Sequence, residues 1–263
     1  MTEKASEELI HQEVQNVING LKGISGGKVL DIATGEGDFI KTLMKTLGNY
    51  DNFTAIELSE EELEKAKKEL KEAPVSFFQM NAENLEFKDH EFDTVCLSHS
   101  LHHLDNIELV LSEMLRVLKP NGNFILQECY SDGEQTEAQV TDILIHHWDA
   151  IIDRKRGILH NETLTKMKIF DYIKKLPLTE SRQFDIPHSV ACAFCEKFKE
   201  CSNPKSKIAI DGSNHYIDSI LKNAITYNPN NTQKYENKAE ELRERLNKFG
   251  SKIASSLFFL GKK

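Results

Sequence analysis

Two acids in this chain close short apolar runs, and a glycine-bearing turn lies between them. Asp31 stands at the end of the run 29–32, and Glu57 ends the run 52–58, twenty positions after Gly37. The turn is Thr34-Gly-Glu-Gly-Asp38, leading into a helix. A side chain at Gly35 or Gly37 would keep a ligand off the backbone there, and the turn's N–H groups face whatever sits at the helix start. A carboxylate at position 31 repels pyrophosphate but suits a cationic amino group. The third glycine of a dinucleotide fingerprint is replaced by Ile40. Glu57 can accept both hydroxyls of a ribose. The chemistry that satisfies all of this is a nucleoside with an ammonium group and no phosphates, and S-adenosylmethionine is such a molecule.

Further motifs follow in order. Phe53-Thr-Ala-Ile-Glu57-Leu-Ser59 is followed by Asn81-Ala-Glu83, then by Phe92-Asp-Thr-Val-Cys-Leu-Ser-His99. Leu101-His-His-Leu104 and Leu118-Lys-Pro-Asn-Gly122 complete the series. Over residues 29–128 the chain resembles the class I S-adenosylmethionine-dependent methyltransferases, in particular the small-molecule, ubiquinone/menaquinone-biosynthesis-like branch. Ala33 stands where many members carry a first glycine, a mild departure because alanine still permits close packing. The resemblance implies S-adenosyl-L-methionine as methyl donor and S-adenosyl-L-homocysteine as product. It implies cofactor contacts at Asp31, Ala33, Thr34, Gly35, Gly37, Glu57, Leu58, Asn81, Ala82, Glu83, Ser98 and His99. Asn81 to Glu83 would flank the adenine, and Ser98 and His99 the methionine portion.

These residues need a scaffold of alternating strands and helices, that is, a parallel sheet with helices on both faces. The pattern predicts a leading helix at 9–21 and strands at 29–32, 52–58, 75–80, 93–98 and 123–128. Helices are expected at 38–47, 59–72 (Ser59 and Glu62 as a capping box) and 107–118. Ile107, Leu111, Met114, Leu115 and Leu118 share one face of the last. Residues 119–122 read as a turn. Beyond strand five, helices are expected at 135–156 and 163–176, strand six at 180–186, and helices at 215–226 and 232–249. The final strand, at 253–260, is antiparallel in the family. The expected fold is α/β: a Rossmann-like, seven-stranded, mostly parallel sheet with helical cover insertions. The segments are an N-terminal helix or lid (1–27), the cofactor-binding core (28–129), a helical cover with strand six (130–186), an insertion (187–252) and the last strand (253–263), forming one domain overall. Ligands bind beyond the carboxyl ends of parallel strands. Residues 130–160 and 187–252 are therefore expected to cover the substrate.

With 263 residues the chain can bury a full core. Its formal net charge of −9 repels nucleic acid unless a local patch reverses it. No run of eighteen apolar residues occurs, and the first residues lack a basic–apolar signal layout. Five cysteines, an odd number, argue for reduced thiols. The expected partner is a small-molecule acceptor, with no nucleic acid and no membrane, for a cytoplasmic monomer or homodimer.

Methyl transfer needs in-line positioning of nucleophile and methyl carbon, about 3–3.5 Å apart. A hydroxyl or amine acceptor also needs a base, whereas a thiolate or enolate carbon does not. The base candidates are His102, His103, Tyr130 and His146. The Leu101–Leu104 element, however, recurs in the family with different substrates, which favours a loop-ordering role. Tyr130, His146, His147, Trp148 and His160 either line an acceptor site or form the packed underside of a helix, the latter preferred. Cys192-Ala-Phe-Cys195 with Cys201 and His188 has the makings of a metal or soft-metalloid site. With one cysteine pair plus a singleton, the expectation is that no metal is held tightly.

Three alternatives compete with small-molecule methylation. A protein or nucleic-acid methyltransferase is opposed by the acidic charge and by the lack of an Asn-Pro-Pro-Tyr-type motif or an aromatic–basic run. A non-catalytic S-adenosylmethionine-binding protein stays open. A nicotinamide oxidoreductase is disfavoured by Asp31 and Ile40.

Overall fold

A computed structural model describes residues 3–187, 190, 194, 200 and 202–263, with the backbone alone for residues 3–11. Cys192, Cys195, Cys201 and His188 lie outside the described residues.

The chain divides into two compact units. The first contains Met1–Glu128, Ile169–Ile186 and Ser256–Lys263. Helix α1 (Glu3–Lys22) leads into strand β1 (Lys28–Ile32), followed by α2 (Asp38–Thr46), β2 (Asn52–Glu57), α3 (Glu60–Glu69) and β3 (Val75–Gln79). Then come β4 (Phe92–Ser98), α4 (Ile107–Val117) and β5 (Leu118–Cys129). The later segments supply β6 (Thr179–Ile186) and β7 (Ser256–Lys262).

The seven strands form one sheet in the order β3-β2-β1-β4-β5-β7-β6. β1 pairs in parallel with both β2 and β4, and β4 with β5. β6 and β7 pair antiparallel. The central strands are apolar on both faces, as strands covered on both sides must be: Val29, Leu30, Ile32, Ile56, Val95 and Leu97 are fully buried. β3 ends the sheet and is more open, with Phe78 exposed. The chain runs from β1 outward to β2 and β3, then returns to the other side of β1 for β4. That reversal places a topological switch point between β1 and β4, where open α/β sheets bind ligands.

Some expectations are corrected. β5 begins at Leu118, so residues 119–122 are not a free turn. Phe92 pairs with Leu118 and Thr94 with Asn123, so the Lys-Pro-Asn-Gly sequence is absorbed as a bulge, with Asn121 at φ 61°. Leu118 accordingly leaves the face of α4, whose buried residues are Ile107, Val110, Leu111, Met114 and Val117. The last strand is displaced to Ser256–Lys262 because Lys262 pairs with Thr179. Ser59 accepts from the Glu62 amide at 3.3 Å and caps α3, but the box is completed elsewhere, by Thr136 and Gln139.

The second unit comprises Cys129–Lys168 and Pro187–Ser255. It holds α5 (Glu137–Lys155), and the next helix, α6 (Lys166–Ile173), begins in it. Two long helices follow, α7 (Lys207–Tyr227) and α8 (Thr232–Phe249). α7 starts eight residues before the expected 215, because Ser206 caps it by accepting from the Ala209 amide. Its core joins Ile145, Trp148 and Ile152 of α5 to Ile217, Ile220, Tyr235, Leu242 and Leu246. Among the described residues no helix is long and apolar enough to cross a membrane.

Candidate active site

The turn after β1 is closed by backbone bonds from the Thr34 amide to Ile56 O and from the Gly37 amide to Thr34 O, both 3.0 Å. Ala33, Gly35 and Gly37 all have positive φ, at 53°, 53° and 87°. The two glycines serve different ends, which corrects the sequence-based expectation. A Cβ on Gly37 would lie 2.5 Å from Leu70 Cδ1, so its bareness lets α2 pack against the end of α3. A Cβ on Gly35 would meet nothing within 4 Å. There the backbone conformation asks for glycine, and the space in front stays open.

Asp31 is only 1% exposed. The register places it opposite Ala55 of β2 and Cys96 of β4. The Cys96 thiol donates to Asp31 Oδ1 at 3.3 Å and lies equally close to Leu30 O. Asp31 Oδ2 is buried and has no hydrogen-bond partner. Burial above all pushes the Asp31 carboxyl up to about 7; the nearby Thr34 hydroxyl, which donates to the Asp31 backbone carbonyl at 3.1 Å, and the Cys96 thiol pull it down, and Glu57 adds repulsion. An orphaned buried carboxylate oxygen at a strand end asks for a cation.

Glu57 ends the neighbouring strand. Its Oε1 accepts from the amides of Leu58 and Ser59, at 2.8 and 3.0 Å, and its Oε2 accepts from the Gly35 amide at 3.0 Å. Leu58 beside it is 65% exposed, an apolar surface standing in the open. After β3, Asn81 Oδ1 accepts from the Glu83 amide and Glu83 Oε1 from the Asn106 amide, which ties this loop to the start of α4. Ala82 lies half-buried between them.

At the end of β4, Ser98 O accepts from the Ser100 hydroxyl. His99 adopts a positive φ of 49°. Its Nε2 lies 3.0 Å from the Gln127 amide nitrogen and 3.1 Å from Ser256 Oγ. An amide N–H can only donate, so Nε2 is the accepting nitrogen. Burial holds His99 below the usual imidazole range, more than the opposed effects of Glu128 and His102 alter it.

His102 is buried and His103 exposed, in a short turn of helix at Leu101–His103. His102 Nδ1 lies 3.1 Å from Glu128 Oε1, and the Leu101 amide donates to Glu128 Oε2 at 2.6 Å. Glu128 is fully buried; burial would raise its pKa, yet the charge and hydrogen bond of His102 bring it down to about 2. These contacts tie the Leu101–Leu104 loop to the end of β5.

The remaining base candidates belong to the second unit. Tyr130 is buried there, with Lys166 Nζ 5.3 Å from its ring centroid. The His146 ring stands 4.7 Å from that of His160. His160 Nδ1 lies 3.0 Å from Asp153 Oδ2, and the Tyr216 hydroxyl donates to Asp149. Trp148 packs into the helical core.

Asp31, the turn 33–37, Glu57, Leu58, residues 81–83, Ser98 and His99 thus come together at the carboxyl ends of four adjacent strands, β3, β2, β1 and β4. Sequence reasoning missed Cys96, Gln127, Glu128 and Ser256. A Gln-Glu pair closing an otherwise apolar strand was the one available signal; the others depend on strand register.

The strand order, with an antiparallel pair at one edge, defines a Rossmann-like α/β sheet that carries Asp31 and Glu57 at adjacent strand ends. Comparison with known proteins agrees. Residues 30–126 match the family model described as a methyltransferase domain. The ubiquinone/menaquinone biosynthesis C-methyltransferase UbiE of Shewanella pealeana is 30% identical over 122 residues, 45% of this chain and 49% of that protein. The UbiE of Pseudomonas fluorescens is 35% identical over 113 residues, 41% and 44% of the two chains. The chain thus spans about half the length of the relatives it matches. Likeness in structure extends further. The YcgJ protein of Bacillus subtilis superposes with a TM-score of 0.53 at 18% identity, covering 96% of this chain and 98% of that one. The [4+2]-cyclase SpnF gives 0.54 at 13% identity, covering 96% and 80%. Such low identities establish the fold alone, and the cyclase shows that this fold hosts more than one chemistry. Residues 30–126 are thus similar to a methyltransferase domain and to about half of each UbiE relative.

Proposed function

We propose that this chain transfers a methyl group from S-adenosylmethionine to a small-molecule acceptor. The observation that carries the proposal is Asp31 Oδ2, buried without a partner at the end of β1 and within electrostatic reach of Glu57. The chain's residues fit this cofactor. Asp31 would hold its ammonium group, Glu57 its ribose hydroxyls, and Leu58 with residues 81–83 its adenine. Gly35 leaves room at the turn. When bound, the cofactor supplies an electrophilic methyl group on a sulfonium. A solved Haemonchus contortus phosphoethanolamine N-methyltransferase holding S-adenosylhomocysteine shares the fold, with a TM-score of 0.54 at 15% identity over 96% of this chain and 52% of that one.

The matched family segment stops at residue 126. The relatives named for C-methylation favour a carbon nucleophile, for which no strong base is needed. That accords with His99 and His102, whose ring nitrogens are already engaged by Gln127 and Ser256 and by Glu128. The acidic balance and absence of a membrane-crossing helix among the described residues go with a small metabolite in the cytoplasm.

The test is titration calorimetry with S-adenosylmethionine, S-adenosylhomocysteine and NAD, followed by assay of S-adenosylhomocysteine release over a panel of small carbon, oxygen, nitrogen and sulfur acceptors. Binding of the first two at micromolar level without NAD binding, and turnover with a small acceptor, is expected. NAD binding in place of S-adenosylmethionine would sink the proposal; cofactor binding with turnover only on protein or RNA would replace the acceptor class.

A further inference from the structure

Cys96 is a buried side chain that the proposed reaction does not use, and it touches the residue on which cofactor recognition rests. Strand register puts Cys96 directly opposite Asp31. Its sulfur lies 3.3 Å from Asp31 Oδ1 and 3.3 Å from Leu30 O, so one thiol proton serves two acceptors. Burial, and then the Asp31 carboxylate, push the thiol well above its ordinary range, so it stays a donor.

The two Asp31 oxygens therefore differ. Oδ1 is held by the thiol, while Oδ2 is buried with no partner. We infer that Cys96 is a positioning residue for cofactor recognition: its thiol pins Asp31 Oδ1 and leaves Oδ2 as the oxygen that receives the ligand's amino group. This rests on the proposed binding of S-adenosylmethionine and goes beyond it, since it assigns the oxygen and the residue that selects it.

The choice of sulfur has a consequence. A thiol is a weak hydrogen-bond donor, so it fixes the carboxylate's orientation while stabilising its charge only slightly. The other groups acting on Asp31 are the Thr34 hydroxyl, which favours ionisation, and Glu57, which opposes it. A carboxylate so placed titrates near neutral pH and must ionise to hold an ammonium group. Ligand affinity then rises about tenfold per pH unit below the carboxyl's midpoint and levels off above it. Replacing the thiol by a hydroxyl strengthens the bond to Oδ1 and moves the midpoint down. Removing the donor moves it up, by roughly half to one pH unit.

The experiment is calorimetric titration of the full chain with S-adenosylhomocysteine between pH 5.5 and 8.5, for wild type, Cys96→Ser and Cys96→Ala. 5′-Methylthioadenosine, which lacks the amino group, serves as the pH-independent control. The expected order of midpoints is Cys96→Ser below wild type below Cys96→Ala, with the control ligand unchanged across the three. Cys96→Ser keeps the side chain's size and a donor, so it remains informative should Cys96→Ala fold poorly. A purely structural role would alter melting temperature, or shift both ligands' affinities equally, without moving the midpoint. Equal midpoints in wild type and Cys96→Ser overturn the inference and leave the proposed function standing. No S-adenosylhomocysteine binding by wild type at any pH overturns both.

Discussion

The backbone amide of Gly35 donates to Glu57 Oε2 at 3.0 Å, joining the turn after β1 to the end of β2. Glu57 therefore does two things at once. It braces the glycine turn with Oε2 and the start of α3 with Oε1, and of its roughly four lone-pair sites one, on Oε2, is left for a further donor.

Glu57→Ala is expected to weaken S-adenosylmethionine binding by more than the loss of a ribose contact. Charge-assisted hydrogen bonds contribute about 1.5–3 kcal/mol each, less where water substitutes. In this chain the substitution also releases the amides of Gly35, Leu58 and Ser59. Calorimetry should show at least a hundredfold loss of affinity, the equivalent of roughly 2.7 kcal/mol. An unchanged Kd would remove Glu57 from the site.

Asp31→Asn should separate stability from function. The Asp31 carboxyl is raised to about 7 in the folded chain, above its ordinary value near 4. The native state thus binds this proton more tightly than the unfolded one. Asp31's contribution is most favourable below the unfolded value, declines as pH rises towards 7, and is a full penalty above it. At pH 8 the ligand-free Asn variant is expected to melt higher than wild type, whereas at pH 4 the difference should shrink. The same variant should lose cofactor affinity. A variant that melts lower at pH 8 and still binds would contradict the burial-driven shift.

The two glycines of the turn give a third prediction. Gly35→Ala meets no atom and should cost about 1–2 kcal/mol, the penalty for a side chain in the left-handed region. Gly37→Ala carries that cost and also presses on Leu70 Cδ1, adding about 1–3 kcal/mol of overpacking. Shortening buried Leu70 to Ala in the Gly37→Ala background should cost clearly less than it does in the wild-type chain, because it relieves that contact. Urea unfolding of the singles and the pair measures this, and simple additivity would show that Leu70 is not what Gly37 makes room for.

Where local pattern decides structure, the sequence was legible. α8 occupies the expected 232–249, and the acids, glycine turn and Leu58 all stand at strand ends as anticipated. The motifs worked because each is a strand end plus its turn, a unit of a few neighbouring residues. What escaped is contact between strands distant in sequence. Cys96 meets Asp31 across 65 positions, and His99 meets Ser256 across 157. Neither residue carries a mark of its partner, because the register is set by the apolar core. The long β5 escaped for a related reason, its Pro-Asn-Gly turn being absorbed into a bulge by pairing on both sides.

The last prediction concerns Glu128 and His102. Glu128 is fully buried at the end of β5 and accepts from the Leu101 amide and from His102. Despite burial, His102 brings its carboxyl down to about 2, below the unfolded value near 4.3. Its stabilising contribution is therefore present above about pH 4.3 and lost as the pH falls towards 2. Glu128→Gln keeps the shape but removes the carboxylate that accepts from the Leu101 amide and faces His102. Breaking one partner of a buried pair costs about 3–5 kcal/mol, so a large fall in unfolding free energy at neutral pH is expected. His102→Gln alone should also destabilise, since it removes the imidazole that hydrogen-bonds the buried Glu128 carboxylate. The double variant should lose much less than the sum, because two neutral amides can hydrogen-bond each other in the same space. A double-mutant cycle by urea unfolding measures that coupling. If the pair orders the Leu101–Leu104 loop and takes no part in proton transfer, S-adenosylhomocysteine affinity and the pH profile of turnover should recover in the double variant along with stability. Recovered stability with turnover still abolished would instead assign His102 to the chemistry.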